Sequence, residues 1–216
     1  MKKLIIATLL LCFPLGSLLV NAQDEVKPFT LEQVMSAPFP SGLVAAPTGG
    51  SVAWVQIAKG SRNIWVASPP EYKGRQVTSY TGDDGEEIGE LVWTADAQAI
   101  IYTRGGDLDN FGESPNPRSV PEEPKQLLWL ISLDQKPPRL LAEGHSAAVS
   151  PKGNLVAYIS KRNIWSLKLD GKDKPAALVE AKGQSESLRW SADGSKLVFV
   201  NGRRDHSFVG DRKSVV

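Results

Sequence analysis

The sequence predicts an all-β chain: a partial, open β-propeller of about four four-stranded blades, preceded by an N-terminal signal peptide and one short helix. Three observations carry that prediction. Four nine-residue segments align without gaps: Pro47-Thr-Gly-Gly-Ser-Val-Ala-Trp-Val55, Ala95-Asp-Ala-Gln-Ala-Ile-Ile-Tyr-Thr103, Pro151-Lys-Gly-Asn-Leu-Val-Ala-Tyr-Ile159 and Ala192-Asp-Gly-Ser-Lys-Leu-Val-Phe-Val200. Each reads as a turn followed by a strand, with an aromatic residue at the same place in every copy: Trp54, Tyr102, Tyr158 and Phe199. The 15 Pro, 19 Gly and six Trp are spread among short apolar runs, as strands joined by turns require.

The elements follow in chain order. Lys2-Lys3, an uncharged stretch from Leu4 to Val20 and the small-residue site Val20-Asn21-Ala22 form the three parts of a secretory signal, so residues 1–22 are expected to be removed and the protein to be periplasmic or secreted. The uncharged stretch is 17 residues long and contains Pro14, Gly16 and Ser17. It is too short and interrupted for a spanning helix, so no membrane association is expected after cleavage. Cys12 leaves with the signal, and the mature chain then has no cysteine for a disulfide.

Residues 23–41 form a lead-in in which Thr30 as N-cap and Gln33 as N3 make a capping box, starting a short helix that runs to about Ser36. Pro38 and Pro40 end it.

The repeats occupy 42–210. Pro151-Lys152-Gly153 and Ala192-Asp193-Gly194 supply a fixed φ or an Asx-type turn before a glycine that tolerates positive φ. Ala97 replaces that glycine in the second copy, which should therefore have the least favourable turn. Short strands lie upstream, as at Leu91-Val92-Trp93 and Leu188-Arg189-Trp190. Further strands lie downstream at Arg62-Asn-Ile-Trp-Val66, Gln126-Leu-Leu-Trp-Leu-Ile131 and Arg162-Asn-Ile-Trp-Ser-Leu167. A weaker fourth strand closes three units, for example Arg139 to Ala142 and Ala177 to Val179. The copies begin 48, 56 and 41 residues apart, which suits four-stranded blades once the longest interval is credited to an insertion. Strands such as Leu155 to Ile159 are apolar almost throughout, so both faces of the sheet are expected to be buried.

Residues 211–216, Asp-Arg-Lys-Ser-Val-Val, break this pattern. They match the translation of a common sequencing-adapter string that ends in a stop codon, so the gene is expected to continue past about Gly210. Nothing then closes the strand pair opened at Lys196 to Val200.

Charge excludes some function classes. Residues 23–210 carry 21 basic and 23 acidic side chains, a net charge of −2, too close to neutral to bind nucleic acid by its field. The chain has no Gly-x-Ser-x-Gly elbow, and Asp205-His206-Ser207 are strand neighbours that point to alternate faces, so no catalytic residue is assigned. Asp107-Leu-Asp-Asn-Phe-Gly112 begins like a calcium loop but has Phe111 at the fifth ligand position and Arg118 at the twelfth. His145 and His206 lie in different blades without cysteine partners. No metal or cofactor is expected.

In an up-and-down blade, the link between the second and third strands and the link to the next blade leave the sheet at the same end. That places the acidic connector 81–90, the Gly/Pro-rich insertion 104–124 and the loop 202–206 together, as recognition loops on a rigid scaffold. Within them Glu86 and Glu87, with Asp107 and Asp109, are the candidate substrate contacts. A carboxylate pair of this kind can meet a substrate's ammonium group strongly across a dry cavity.

The Pro/Ala-Asp/Lys-Gly turns with Asn-Ile-Trp strands resemble the propeller repeats of TolB-like proteins. The ordered set Phe29-Thr30-Leu31, Ser36-Ala-Pro-Phe-Pro-Ser41, Gln76-Val-Thr-Ser-Tyr-Thr-Gly-Asp-Asp-Gly85, Leu140-Leu-Ala-Glu-Gly144 and Arg204-Asp-His-Ser-Phe208 resembles the N-terminal half of exported bacterial peptidases of the prolyl oligopeptidase family, in the dipeptidyl aminopeptidase and acylaminoacyl-peptidase branch. The resemblance implies a substrate-gating propeller that admits short peptides to a C-terminal α/β-hydrolase domain bearing a Ser-Asp-His triad. None of those catalytic residues is in this chain, which by itself is expected to be inactive. A non-catalytic TolB-like propeller that binds proteins in the periplasm is the alternative.

Overall fold

The computed structural model describes residues 28–106, 115–117, 119–122, 124–181 and 183–202, and the backbone of 212–215. The signal sequence lies outside the described residues. The helix α1, Leu31–Met35, has the expected capping box: the Gln33 amide donates to Thr30 Oγ1 at 3.1 Å, and the Thr30 amide donates to Gln33 Oε1 at 3.0 Å. Its apolar side chains Leu31, Val34 and Met35 are all exposed.

Among the described residues fifteen strands follow, in four antiparallel sheets within each of which the strands lie in chain order. Sheet 1 holds β1 (Phe39–Ala45), β2 (Val52–Ala58), β3 (Ser61–Ala67) and β4 (Arg75–Gln76). Sheet 2 holds β5 (Ile88–Trp93), β6 (Ala99–Arg104), β7 (Leu127–Ser132) and β8 (Arg139–Glu143). Sheet 3 holds β9 (His145–Val149), β10 (Leu155–Ser160), β11 (Asn163–Lys168) and β12 (Ala176–Val179). Sheet 4 holds β13 (Gln184–Trp190), β14 (Leu197–Gly202) and β15 (Arg212–Val215). The sequence leaves β14 with nothing beyond it. In the structure Arg212–Val215 pairs along it, with Phe199 opposite Ser214, because an unpaired strand edge accepts any extended backbone brought to it.

Every substantial contact between sheets involves a first strand: β1 meets β5, β5 meets β9, and β9 meets β13. First strands therefore gather at the centre while the outer strands stand apart, the geometry of blades around an axis. The alternation along each strand then fills the gaps between blades. Ile100 and Tyr102 of β6 point toward sheet 1 and pack with Val55, Ile64 and Trp93, while Ile101 points toward sheet 3 and packs with Val156 and Tyr158. On β10, Ala157 and Ile159 face sheet 4 with Leu188 and Phe199. Central sheets covered on both faces explain why these strands read as apolar throughout.

The repeat goes deeper than the turns. Each first strand carries a bulge against its second strand, and the bulge residue has positive φ: Gly42 at 62°, Glu90 at 51°, Ser146 at 52° and Ser187 at 56°. Four residues later, a backbone amide closes the turn in all four copies: Ala46 to Ser51, Thr94 to Ala99, Ser150 to Leu155 and Ser191 to Lys196, at 2.8–2.9 Å. Within the turns Gly153 and Gly194 have φ of 105° and 65°. Ala97, in the matching place, is held at φ 56°, where a Cβ is strained. Ala97→Gly is therefore expected to raise stability by about 0.5–1 kcal/mol, after the extra freedom of glycine in the unfolded chain is deducted. Denaturant midpoints at unchanged m-value measure it.

Candidate functional site

The connector and insertion that the sequence places at one end are together in the structure. Asn63, buried at the start of β3, sets the path of the connector. Its Oδ1 accepts from Thr78 Oγ1 at 2.9 Å and from the Tyr80 amide at 2.8 Å, and its Nδ2 donates to the Tyr80 carbonyl at 2.9 Å. Tyr80 is thereby fixed with its hydroxyl 2.6 Å from that of Tyr102, and the Arg104 guanidinium lies over its ring at 4.1 Å. Burial, and then the Tyr80 hydrogen bond, push the Tyr102 phenol well above its ordinary value, so it stays neutral and hydrogen-bonded.

The first four of the connector's five acids divide into two kinds. Asp84 pairs with Arg104 and accepts from the Glu86 amide at 3.0 Å. Asp83 pairs with Arg62 at 3.1 Å and accepts from the Gly85 amide at 3.1 Å. The Arg62 hydrogen bond holds the Asp83 carboxyl below the usual range. Both aspartates thus shape the loop. Among the described residues, no hydrogen bond or ion pair engages the carboxylates of Glu86, half-buried, and Glu87, exposed.

The insertion lies over this loop. A Cβ on Gly85 would overlap Pro117, and one on Gly106 would lie 3.1 Å from Pro115 and 3.8 Å from the Glu87 carboxylate. Gln126 Nε2 donates to the Gly106 carbonyl at 2.6 Å and ties down the insertion's base. Asp107, Asp109 and residues 203–206 of the third loop lie outside the described residues. Among the described residues, no three His, Cys, Asp or Glu side chains gather as a metal site would require, and no helix is long and apolar enough to cross a membrane.

Sequence reasoning missed the Arg62, Tyr80, Tyr102 and Arg104 frame, because it joins residues about 20 apart on different strands. The repeated Arg-Asn-Ile-Trp at 62–65 and 162–165 was its available signal: Asn163 Oδ1 accepts from the Ala181 amide at 3.1 Å, much as Asn63 holds Tyr80.

At the opposite end, two turns share a carboxylate device. The Thr94 hydroxyl donates to Asp96 at 2.6 Å and the Gln98 amide at 3.0 Å, while Ser191, the Ser195 amide and the Ser195 hydroxyl donate to Asp193 at 2.6, 3.0 and 2.7 Å. Those donors, Thr94 first for Asp96 and Ser191 first for Asp193, hold both carboxyls below the usual range. A depressed folded pKa stabilises the fold above the unfolded value near 4, and the contribution is lost as pH falls through the folded value. The melting temperature is therefore expected to start falling below about pH 4. In Asp193→Asn, which keeps the acceptor oxygen without the charge, the fall should be shallower; circular-dichroism melts from pH 2 to 7 measure both.

No family model matches the sequence, and no curated protein does. Solved structures do. TolB from Acinetobacter baumannii is 17% identical with a TM-score of 0.57, over 82% of this chain and 41% of that one. A puromycin-hydrolyzing peptidase of Mycobacterium tuberculosis is 17% identical with a TM-score of 0.56, over 82% and 27%. The β-propeller domain of the Trilobed protease from Pyrococcus furiosus, which has an open velcro topology, is 10% identical with a TM-score of 0.54, over 83% and 54%. The chain spans 27–54% of the length of these three proteins. Likeness at such identity establishes fold, and with the sheet order and central first strands it leads to one conclusion: this chain is a β-propeller domain, open as described, of the kind found in TolB-like proteins and in peptidases.

Proposed function

We propose that the chain is the substrate-gating propeller of an exported serine peptidase that cleaves short peptides, with the α/β-hydrolase domain encoded beyond this sequence. The observation that carries the reading is the connector end, where a pinned loop presents Glu86 and Glu87, unpaired among the described residues, beneath the prolines of the insertion. Arg62 and Arg104 are occupied by Asp83 and Asp84, so neither neutralises the two glutamates, which can meet an outside cation such as a peptide's amino terminus. The ordered family-like segments and the superposition on a peptidase of which this chain spans 27% support the same reading.

In such an enzyme this chain supplies entry and orientation. The serine, histidine and oxyanion donors belong to the hydrolase domain. The test is to read the locus downstream of the codon for Gly210 and assay the full product. A Gly-x-Ser-x-Gly after the last blade is expected. So is a rise in KM for Glu86→Gln with Glu87→Gln that is confined to peptides with a free amino terminus. An unchanged KM removes the glutamates from the reading.

A TolB-like periplasmic binding propeller is the second reading. It is favoured by an equally good superposition on TolB, of which this chain covers a larger share. A stop codon soon after ring closure decides for it.

A further inference from the structure

The outer two of the three joints between the four sheets share a leucine and a tryptophan on the incoming first strand, and the middle one lacks both. Counted from the positive-φ bulge residue, the next three residues of the first strands are Leu43-Val44-Ala45, Leu91-Val92-Trp93, Ala147-Ala148-Val149 and Leu188-Arg189-Trp190. Leu91 fills the joint between sheets 1 and 2, and Leu188 fills that between sheets 3 and 4. The middle joint has only Ala147 in that place.

Trp93 Nε1 reaches back to the Val44 carbonyl at 3.3 Å, and Trp190 Nε1 reaches back to the Ala148 carbonyl at 2.9 Å. Each indole latches its sheet to the one before. Sheet 3 carries Val149 there, which has no donor.

Two side chains of sheet 2 tie the middle joint: Arg139, whose Nη2 donates to the Leu169 carbonyl at 2.7 Å at the cleft end, and, at the bulge end, Glu90, an exposed side chain. Its carboxylate accepts from the Ser146 amide at 2.6 Å, from Ser146 Oγ at 2.9 Å and, within its own sheet, from Thr103 Oγ1 at 2.5 Å. His145 Nδ1 lies 2.9 Å from the same Ser146 oxygen. At the far end of this joint a cleft of about 510 Å³ separates Asp96 and Gln98 from Lys152 and Asn154, floored by Leu130 and Leu169.

We infer that the joint between sheets 2 and 3 is the hinge of the molecule: sheets 1 and 2 move as one unit, sheets 3 and 4 as another, and Glu90 is the clasp at the bulge end of the joint, with Arg139 tying its cleft end. An exposed carboxylate exchanges protein donors for water more readily than the buried indole of Trp93 or the half-buried one of Trp190 does. The smaller Ala147 and the open cleft leave fewer packed atoms to resist rotation. Gly144 alone links β8 to β9, so the units pivot about that point and cannot drift apart.

Two measurements on the full chain test this. In hydrogen exchange, Glu90→Ala is expected to speed the amides of 145–149 roughly tenfold while leaving those of 44–46 and 188–190 unchanged. Trp190→Phe is expected to act only on the joint between sheets 3 and 4. Equal acceleration at all three joints, or none at 145–149, overturns the proposal. The second measurement leaves the clasp intact. In a Cys12→Ser background, spin labels at Gln98→Cys and Asn154→Cys span the middle joint, and labels at Asn154→Cys and Ser195→Cys span the next at equivalent turn positions. A broader distance distribution for the first pair is expected; equal widths refute the hinge.

Discussion

Ile100→Ala is expected to lower the unfolding free energy by about 3–4 kcal/mol, the range found when a fully buried aliphatic side chain is truncated and the site collapses only in part. Ile100 is 0% exposed. It lies opposite Ile131 on β7 and Trp93 on β5, and points into the joint between sheets 1 and 2 with Val55, Ile64 and Val66. The cavity would thus open between two blades and not inside one. Urea or guanidinium unfolding, compared with Leu31→Ala on the exposed helix α1, gives the contrast: the helix variant should change stability by less than about 0.5 kcal/mol. A loss below about 1 kcal/mol for Ile100→Ala would mean that sheets 1 and 2 do not bury their faces against each other.

Gly144→Ala should cost about 2–4 kcal/mol by a different route, backbone collision. Gly144 has φ 152°, and a Cβ there would overlap the Ile159 carbonyl oxygen and stand 2.8 Å from a Tyr158 ring carbon. The residue is the whole link between β8 and β9, and its amide donates to the Gln126 carbonyl at 2.8 Å, so the chain cannot swing away without losing that bond. Gly82, which has nothing within 4 Å of a built Cβ, separates the two causes: Gly82→Ala meets conformational strain at φ 76° without collision and should cost only about 1 kcal/mol. Equal losses at the two sites would show that the close approach to β10 is unimportant.

Much of the fold was legible because its signals are local. Pro151-Lys152-Gly153 and Ala192-Asp193-Gly194 write a turn in three residues, and the hairpins β9–β10 and β13–β14 form where they stand. Thr30 and Gln33 state the start of α1 in the same way. Even the poorer turn at Ala97 was readable as a missing glycine, and the structure holds that alanine at positive φ. The grouping of the acidic connector with the insertion followed from strand parity alone. The bulges were not legible, because Glu90, Ser146 and Ser187 occupy a conformation that their residue types do not announce. Glu90 counted as one more acid in a charged connector, although its carboxylate contacts a residue 56 positions away.

The sequence by itself determined the repeating module, its turns, the apolar strands and the end of the scaffold at which the long loops gather. These depend on φ preferences and on a two-residue side-chain period, which any segment carries within itself. Only the tertiary structure decided which acids shape the loop through ion pairs, and which blade joints are latched by an indole and which by Glu90 and Arg139. Those outcomes depend on atoms brought within 3 Å of each other by the stacking of separate sheets, and the strength of such contacts is set by burial that no single strand possesses before it is packed.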